Sequence, residues 1–198
     1  NFFRKKKREN APSGVLLVSS GGLGDTVLFS IIINRFYTIA KSNEKMTLLL
    51  RSDSKKVSFL FHEKISIYTV NYKEFRKKRN YRAKIENELY LLNFRIVVST
   101  DFLRHPKLDE AIIKACDAQK TIAMEARPWG KYNAELSRNR KFFNEIFESG
   151  PIHFNKILRW CNFAGSITSE KYPLPKLLIE KGLMPKSNKY NKRTIILN

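Results

Sequence analysis

Short apolar runs alternate along the chain with longer stretches of helical spacing. The runs are rich in Val, Ile and Leu, which is typical of strands that are covered on both faces. The predicted strands are Val15–Ser19, Thr47–Arg51, Ile65–Val70, Arg95–Ser99 and Thr121–Met124. Because strands that alternate with helices form βαβ units, the pattern predicts an α/β fold with a parallel sheet.

Helices are predicted between these strands. The first carries an apolar stripe made of Val27, Leu28, Ile31, Ile32, Phe36 and Ile39. A second helix is predicted from Asp53 to His62, and a third from Phe75 to Leu92. The inward positions of the third helix are predicted to be Ile85, Leu89 and Leu92.

The pattern is less regular in the later part of the chain. Pro106 is predicted to occupy the first turn of a fourth helix. Phe142–Phe147 is compatible with either a strand or a helix, and Gly150-Pro151 separates it from a helix that contains Ile157.

Four segments are predicted from composition. They are a basic arm over residues 1–14, one domain over 15–170, a linker over 171–192 and the first strand of a further domain over 193–198. The linker is rich in Pro, Lys and Asn. A short strand at a terminus needs neighbours, so we interpret the chain as the first half of a larger protein.

The net charge of the chain is +20, from 38 Lys and Arg against 18 Asp and Glu. Such an excess predicts an anionic partner, which is a nucleic acid, a membrane surface or a phosphorylated molecule. Cations are concentrated in Arg4–Arg8 and in Lys73–Lys84. These segments are either solvated faces or surfaces that dock on anionic lipid.

Cysteine, histidine and hydropathy patterns exclude several classes of protein. Cys116 and Cys161 are too few for a disulfide framework, which fits a reducing cytoplasm. His62, His105 and His153 lack metal-ligand spacing, so no metal site is predicted. Since no apolar run reaches the length of a membrane span, we expect a cytoplasmic protein, either soluble or peripheral on the inner face of the membrane.

The most informative segment is the glycine-rich turn Ser19-Ser-Gly-Gly-Leu-Gly-Asp-Thr26 after the first strand. Its glycines allow positive φ and close backbone approach, and the amides that open the next helix attract electron-rich oxygen. Ligands bind at this end of parallel strands. The turn lacks the Gly-Lys-Ser/Thr of a P-loop, and Val27 stands where a dinucleotide-binding fingerprint needs its third glycine.

Asp25 has two interpretations that are not exclusive. As a helix cap, its carboxylate accepts from amides of the first turn and contributes about 1 kcal/mol. As a general base at the mouth of a cleft, it takes the proton of a substrate hydroxyl. A carboxylate beside this turn repels phosphate, so a phosphate-binding role alone does not explain it.

The segment Leu16–Leu28 resembles the opening motif of family 9 glycosyltransferases, the ADP-heptose:lipopolysaccharide heptosyltransferase group. Weaker similarities follow in the expected order. They are Met46–Arg51, Val97–Arg104, Ile122–Trp129, Phe142–Phe143 with His153–Leu158, and Ile195–Asn198. The basic arm and Ser99–Asp101 depart from the family pattern.

The resemblance implies a Rossmann-like sheet flanked by helices, as the N-terminal half of a GT-B glycosyltransferase. In that architecture this half receives the acceptor, and a C-terminal domain that this chain lacks binds the nucleotide-sugar donor. It implies an inverting, metal-independent transfer with Asp25 as base and no cofactor besides the donor. The implied acceptor is an anionic glycolipid or oligosaccharide of the lipopolysaccharide core or a related envelope glycan. This chain alone is expected to be inactive.

Acceptor contacts are predicted at the turn and after two further strands. The turn residues are Ser20, Gly21, Gly22, Gly24 and Thr26. Asp101 and Arg104 follow the fourth strand, where Arg104 is suited to pair an acceptor phosphate or carboxylate; the alternative is a surface loop with an ordinary ion pair. Arg127 either holds a charged sugar beside Trp129, or Trp129 simply packs on the domain.

Two other classes of protein remain as alternatives. A basic nucleic-acid-binding protein fits the charge, but the cations are dispersed and no recognition motif is present, so a nucleic-acid partner is not expected. A nucleotide-binding Rossmann domain of another enzyme class is disfavoured by the missing third glycine.

Overall fold

The computed structural model describes residues 7–173 together with 175 and 176. Within them the chain forms one six-stranded, fully parallel sheet, in the spatial order β3, β2, β1, β4, β5, β6. Its strands are β1 (Val15–Ser19), β2 (Met46–Arg51), β3 (Ile65–Val70), β4 (Ile96–Ser99), β5 (Lys120–Met124) and β6 (Glu145–Phe147). The predicted α/β fold with a Rossmann-like parallel sheet is confirmed.

The five predicted strands are all present, with bounds that differ by at most one residue. The segment whose pattern fitted both strand and helix divides between the two. Arg140–Phe142 forms a 3-10 turn, and Glu145–Phe147 pairs with β5 as an edge strand. All three residues of β6 are half-buried, which explains why its apolar pattern is weak.

Helices cover both faces of the sheet. They are α1 (Leu23–Ser30), α2 (Tyr72–Lys77), α3 (Arg79–Leu91), α4 (Asp109–Cys116), α5 (Asn133–Asn139) and α6 (Lys156–Thr168). On one face α1 and α6 bury Phe29 and Trp160 against the strands. On the other face α2, α3 and α4 bury Phe75, Leu89 and Ile112. β1 is buried along its whole length because both faces are covered, so its sequence is continuously apolar.

Two of the predicted helices are tighter and shorter than their patterns suggest. The first predicted stripe ends in a 3-10 segment, Ile33–Ile39, and the second predicted helix is a 3-10 segment, Ser52–Leu60. Both segments are rich in β-branched, aromatic or Ser and Asp residues, which have weak helix propensity. Apolar spacing alone did not separate 3-10 from α geometry.

The third predicted helix is two helices, and one of its predicted core positions is wrong. Lys78 takes an extended conformation between α2 and α3. Ile85 and Leu89 are buried as predicted, but Leu92 is 50% exposed. Leu92 lies at the end of α3, and Asn93 turns the chain away with a φ of 46°. Pro106 likewise lies in the turn before α4 rather than in its first helical turn.

Arg8, the last cation of the predicted basic run, is part of the fold. Its guanidinium donates to the carbonyl oxygens of Tyr90 and Asp117 at 2.9 Å and also to that of Cys116. It lies 3.9 Å from the centre of the Tyr90 ring. These carbonyls end α3 and α4, where the helix dipole favours a cation. Arg8 is therefore engaged at this edge of the domain.

Other predictions for the termini fall outside the described residues. These are the first part of the basic run, most of the proposed linker and the strand over 193–198. In the described part of the chain, no helix combines the length and the apolar character that a membrane span requires.

Leu89 within α3 and Leu92 at its carboxyl end provide a matched test of the fold. Leu89 is fully buried, whereas Leu92 is half exposed. We expect Leu89→Ala to lower the free energy of unfolding by about 2–5 kcal/mol, because it leaves a cavity. Leu92→Ala should cost about 0.5 kcal/mol or less, as surface substitutions do. Equal losses in urea unfolding would contradict the placement of Leu89 in the core and of Leu92 at the exposed helix end.

Candidate functional site

A cleft of about 460 Å³ opens at the edge of the sheet where the parallel strands end. Six of the residues predicted from the sequence line it: Ser20, Gly21, Gly22, Asp25, Asp101 and Arg127. Ser20 directly follows β1, and Asp101 lies two residues after β4. β1 and β4 are neighbours whose connections leave in opposite directions, and this is the position where open α/β sheets bind ligands.

The glycine-rich turn is shaped around Asp25. A Cβ atom on Gly21 would lie 2.5 Å from the Cβ of Asp25 and 2.8 Å from its Oδ2, so no larger residue fits there. The turn glycines do not take a positive φ, unlike Gly14 and Gly150. The requirement for glycine at position 21 therefore comes from close approach and not from left-handed backbone geometry.

Asp25 is the third residue of α1, and Gly22 occupies the cap position. The Asp25 Oδ2 accepts from the backbone N–H of Gly22 at 3.2 Å. Its Oδ1 pairs with the Nζ of Lys156 at 2.7 Å, and the carboxylate is about one-third exposed. Asp25 thus stabilises the helix start, as an acid in a first turn does, and its partly exposed carboxylate lines the cleft.

Lys156 is set in place by the start of α6. The side chain of Asn155 caps this helix by accepting from the amides of Ile157 and Leu158. The Nζ of Lys156 lies 5.0 Å from the centre of the buried Trp160 ring. Trp160 in turn donates its Nε1–H to the carbonyl of Thr100 at 2.8 Å. Lys156 is therefore a cleft residue positioned by buried neighbours, and no local motif in the sequence predicted it.

The buried side chain of Asp101 is hydrogen-bonded to the first part of the glycine-rich turn. It is buried, and its Oδ2 accepts from both the amide and the hydroxyl of Ser20, the latter at 2.8 Å. Burial is the main cause that raises the pKa of Asp101 to about 6, and the negative charge of Asp109 adds to it. The bonds from Ser20 oppose this shift. Asp101 therefore ties the end of β4 to the end of β1 across the floor of the cleft.

Three predicted site residues do not line the cleft. Arg104 is buried, pairs with Glu110 at 3.1 Å and donates to the carbonyl of Met124. The Arg104 guanidinium is therefore bound to α4 and to the end of β5 inside the protein and does not line the cleft. Thr26 is buried and donates to the carbonyl of Gly22 at 3.1 Å, and Gly24 is exposed outside the cleft.

Arg127 lines the cleft and is exposed. Its backbone N–H donates to the carbonyl of Phe102 at 2.8 Å, whereas its guanidinium has no carboxylate partner among residues 7–173, 175 and 176. Trp129 packs edge-on against Tyr132 and His105, with ring centres 4.7 and 5.7 Å away. Trp129 therefore follows the packing alternative, and Arg127 faces the cleft without it.

Sequence reasoning also missed two arginines of this cleft. Arg51 ends β2 and pairs with Asp53 at 2.7 Å. Arg159 is buried, stacks 3.8 Å from the centre of the Phe102 ring and donates to carbonyls of the loop 149–154. Arg51 ends a parallel strand, so the expectation that ligands bind where such strands end applies to it as well. Nothing in the local sequence marks Arg159.

The sequence predicts no metal site. In the part of the chain that the structure describes, no three or more His, Cys, Asp or Glu side chains are grouped for a metal ion. Metal independence stays a prediction.

The fold has solved counterparts among glycosyltransferases. The chain is similar to Escherichia coli heptosyltransferase WaaC with ADP, at a TM-score of 0.58 and 15% identity, over 82% of this chain and 49% of that one. WaaC with ADP-2-deoxy-2-fluoro heptose gives 0.56 and 14%, over 85% and 52%. A family 9 glycosyltransferase from Veillonella parvula DSM 2008 gives 0.58 and 12%, over 82% and 43%.

These likenesses establish the fold. The chain has the Rossmann-like fold found in family 9 heptosyltransferases, as the sequence resemblance implied. It spans about half the length of these neighbours. No family model and no curated protein sequence matches the chain.

Gly21 and Gly22 provide a matched pair of substitutions. Gly21→Ala should lower the free energy of unfolding by about 1–3 kcal/mol, because its methyl group displaces Asp25. Around Gly22 nothing lies within 4 Å of an added Cβ, so Gly22→Ala should cost less than about 1 kcal/mol. Urea unfolding of both variants measures the difference, and an equally mild Gly21→Ala would argue against the close approach.

Asp101 predicts a specific pH dependence. Because its pKa rises from 3.8 to about 6 on folding, the folded state holds this proton more tightly, and stability falls as the pH rises through that window. Asp101→Asn keeps an acceptor for Ser20 but removes the charge. We expect the wild type to lose up to about 3 kcal/mol more than the variant between about pH 4 and pH 6. Parallel stability profiles from urea unfolding would refute this.

Proposed function

We propose that this chain is the acceptor-binding side of a family 9-like glycosyltransferase. It receives a lipopolysaccharide-core or related envelope glycan, to which a sugar is transferred from a nucleotide-sugar donor. The observation that carries the proposal is the Asp25 carboxylate. It is held at the cleft by the Gly22 amide on one oxygen and by Lys156 on the other, and it remains about one-third exposed.

In the proposed step, Asp25 acts as general base. As an acceptor hydroxyl attacks the anomeric carbon of the donor sugar, the new C–O bond forms and the bond to the nucleotide diphosphate breaks. The hydroxyl proton passes to Asp25, and the diphosphate leaves with the bonding electron pair. A single displacement of this kind inverts the anomeric centre. It requires no metal if cationic groups stabilise the departing diphosphate.

The charge of the cleft supports an anionic acceptor. Arg51, Arg127, Lys156 and Arg159 line it, against the carboxylates of Asp25 and Asp101. Arg159 is occupied by loop carbonyls, and Lys156 is occupied by Asp25. Arg51, at the end of β2, is paired with Asp53. Arg127 therefore remains as the exposed cation that is suited to a phosphate or carboxylate of the acceptor.

The donor side belongs to the same proposal. Two structures of the neighbour WaaC contain ADP or an ADP-sugar analogue, and this chain matches about half of that protein. We assign the nucleotide-sugar to a carboxyl-terminal domain, so this chain alone is not expected to catalyse transfer.

A cytoplasmic location at the inner face of the membrane is part of the proposal. Along Lys73–Lys84, the exposed cations Arg76, Lys77 and Arg79 have no carboxylate partner among the described residues. Each cation near an anionic leaflet contributes about 1 kcal/mol to docking, and a membrane-anchored acceptor is met there.

Asp25→Asn in the complete two-domain enzyme tests the base. With ADP-heptose as donor and a core oligosaccharide as acceptor, we expect kcat to fall about 100- to 10,000-fold, because proton transfer is lost. Acceptor binding, measured by calorimetry, should change less than about threefold, because the amide preserves the size of the side chain.

The matched control is Asp117→Asn. Asp117 ends α4 in a left-handed conformation that asparagine tolerates. It precedes the amino end of β5, whereas the cleft lies at the carboxyl ends of the strands, and it does not line the cleft. Its turnover should equal that of the wild type. Near-normal turnover in Asp25→Asn would exclude Asp25 as the base, while unchanged acceptor binding in both variants would leave the acceptor assignment standing.

A further inference from the structure

A second concave site lies on the face of the sheet that carries α3 and α4. It is a groove of about 400 Å³ between α3, α4 and α5, and it shares no lining residue with the Asp25 cleft. Five of its eleven lining residues are cations: Arg82, Lys107, Lys114, Arg138 and Lys141. Over the whole chain, 38 of 198 residues are Lys or Arg, so the groove is more than twice as rich in cations.

The carboxylates of the groove are already engaged. Glu110 is paired with the buried Arg104 and accepts from the side-chain amide of Asn139 at 2.7 Å. Glu135 is paired with Lys107 at 3.4 Å. Arg82 is held by Glu86 on its own helix at 2.7 Å. The groove therefore has no spare acid to neutralise further cations.

Three cations of the groove lack such a partner. Within the described residues, no carboxylate lies at ion-pair distance from Lys114, Arg138 or Lys141. The ammonium groups of Lys114 and Lys141 lie 4.6 and 5.9 Å from the centre of one ring, that of Phe142. Lys114 of α4 and Lys141 of the 3-10 turn thus place two positive charges near the same aromatic ring. The repulsion between these charges is relieved when an anion binds.

We propose that this groove binds a phosphate-bearing ligand, with the phosphate between Lys114, Arg138 and Lys141 and the remainder of the ligand against Phe142. Its volume is in the range of small-molecule sites, and its combination of cations with an apolar ring matches a phosphate joined to a less polar group. The site is independent of the glycosyltransferase proposal. A soluble phosphomonoester and a phospholipid headgroup present the same chemistry, and the experiment separates them.

The test compares two double variants of the full chain that carry the same change in charge. Lys114→Gln with Lys141→Gln removes two groove cations. The control, Lys56→Gln with Lys64→Gln, removes two exposed cations that line neither site. Neither lysine forms an ion pair within the described residues. Calorimetry at about physiological salt, where general surface attraction is screened, uses glycerol 3-phosphate as the soluble probe. Sedimentation uses phosphatidylcholine vesicles with and without phosphatidic acid.

We expect the groove variant to bind at least tenfold more weakly and the control variant to stay within twofold of the wild type. Groove-dependent binding of glycerol 3-phosphate identifies a soluble ligand, and groove-dependent binding of phosphatidic acid vesicles alone identifies a lipid headgroup; either supports the site. Changes in backbone amide NMR chemical shifts that are confined to α4 and residues 138–142 would locate the binding site. Binding of neither probe, or equal losses in both variants, would overturn the proposal.

Discussion

The parallel pairing of β1 with both β2 and β4 is the constraint on which the rest of the structure depends. β1 is hydrogen-bonded on both edges and covered on both faces, so none of its residues reaches solvent. The chain leaves β1 toward β2 on one side, and β4 takes the other side. A gap must open where these connections diverge, and the ends of β1 and β4 form its floor. The contact of Asp101 with Ser20 joins these two ends.

A protein with a charge of +20 must still bury and position individual charges. It does so by pairing: Arg104 with Glu110 in the interior, Arg95 with Glu44 at the edge opposite the cleft, and Lys156 with Asp25 at the cleft. The bond to Arg95 lowers the pKa of Glu44 to about 2, so this pair stays charged across the neutral range. Binding roles are proposed for some of the exposed cations that lack such partners, namely Arg127 at the cleft, Arg76, Lys77 and Arg79 along α2 and α3, and Lys114, Arg138 and Lys141 at the groove.

The sequence predicted the strands well because each strand of a parallel sheet is a local apolar run. It also predicted that Ser20, Asp25, Asp101 and Arg127 share one edge, because that follows from strand direction alone. It could not predict Arg104 or Lys156 correctly. Whether a polar side chain after a strand turns into the cleft or beneath it depends on the next helix, and the partner of Asp25 comes from 131 residues further along the chain. The prediction that Leu92 faces the core was wrong for a related reason, since helical spacing does not reveal where a helix ends.

The contacts of Asp25 meet two requirements of the proposed general base that usually conflict. A general base must be held in one orientation, yet it must keep a lone pair available for the proton that it accepts. Here the amide of Gly22 and the ammonium of Lys156 take one site on each oxygen, and a carboxylate has about four. The partial exposure of the group leaves the remaining sites open toward the cleft. The turn that leaves no room for a side chain at Gly21 thus holds the carboxylate in place without enclosing it, as the proposed role of Asp25 as a base requires.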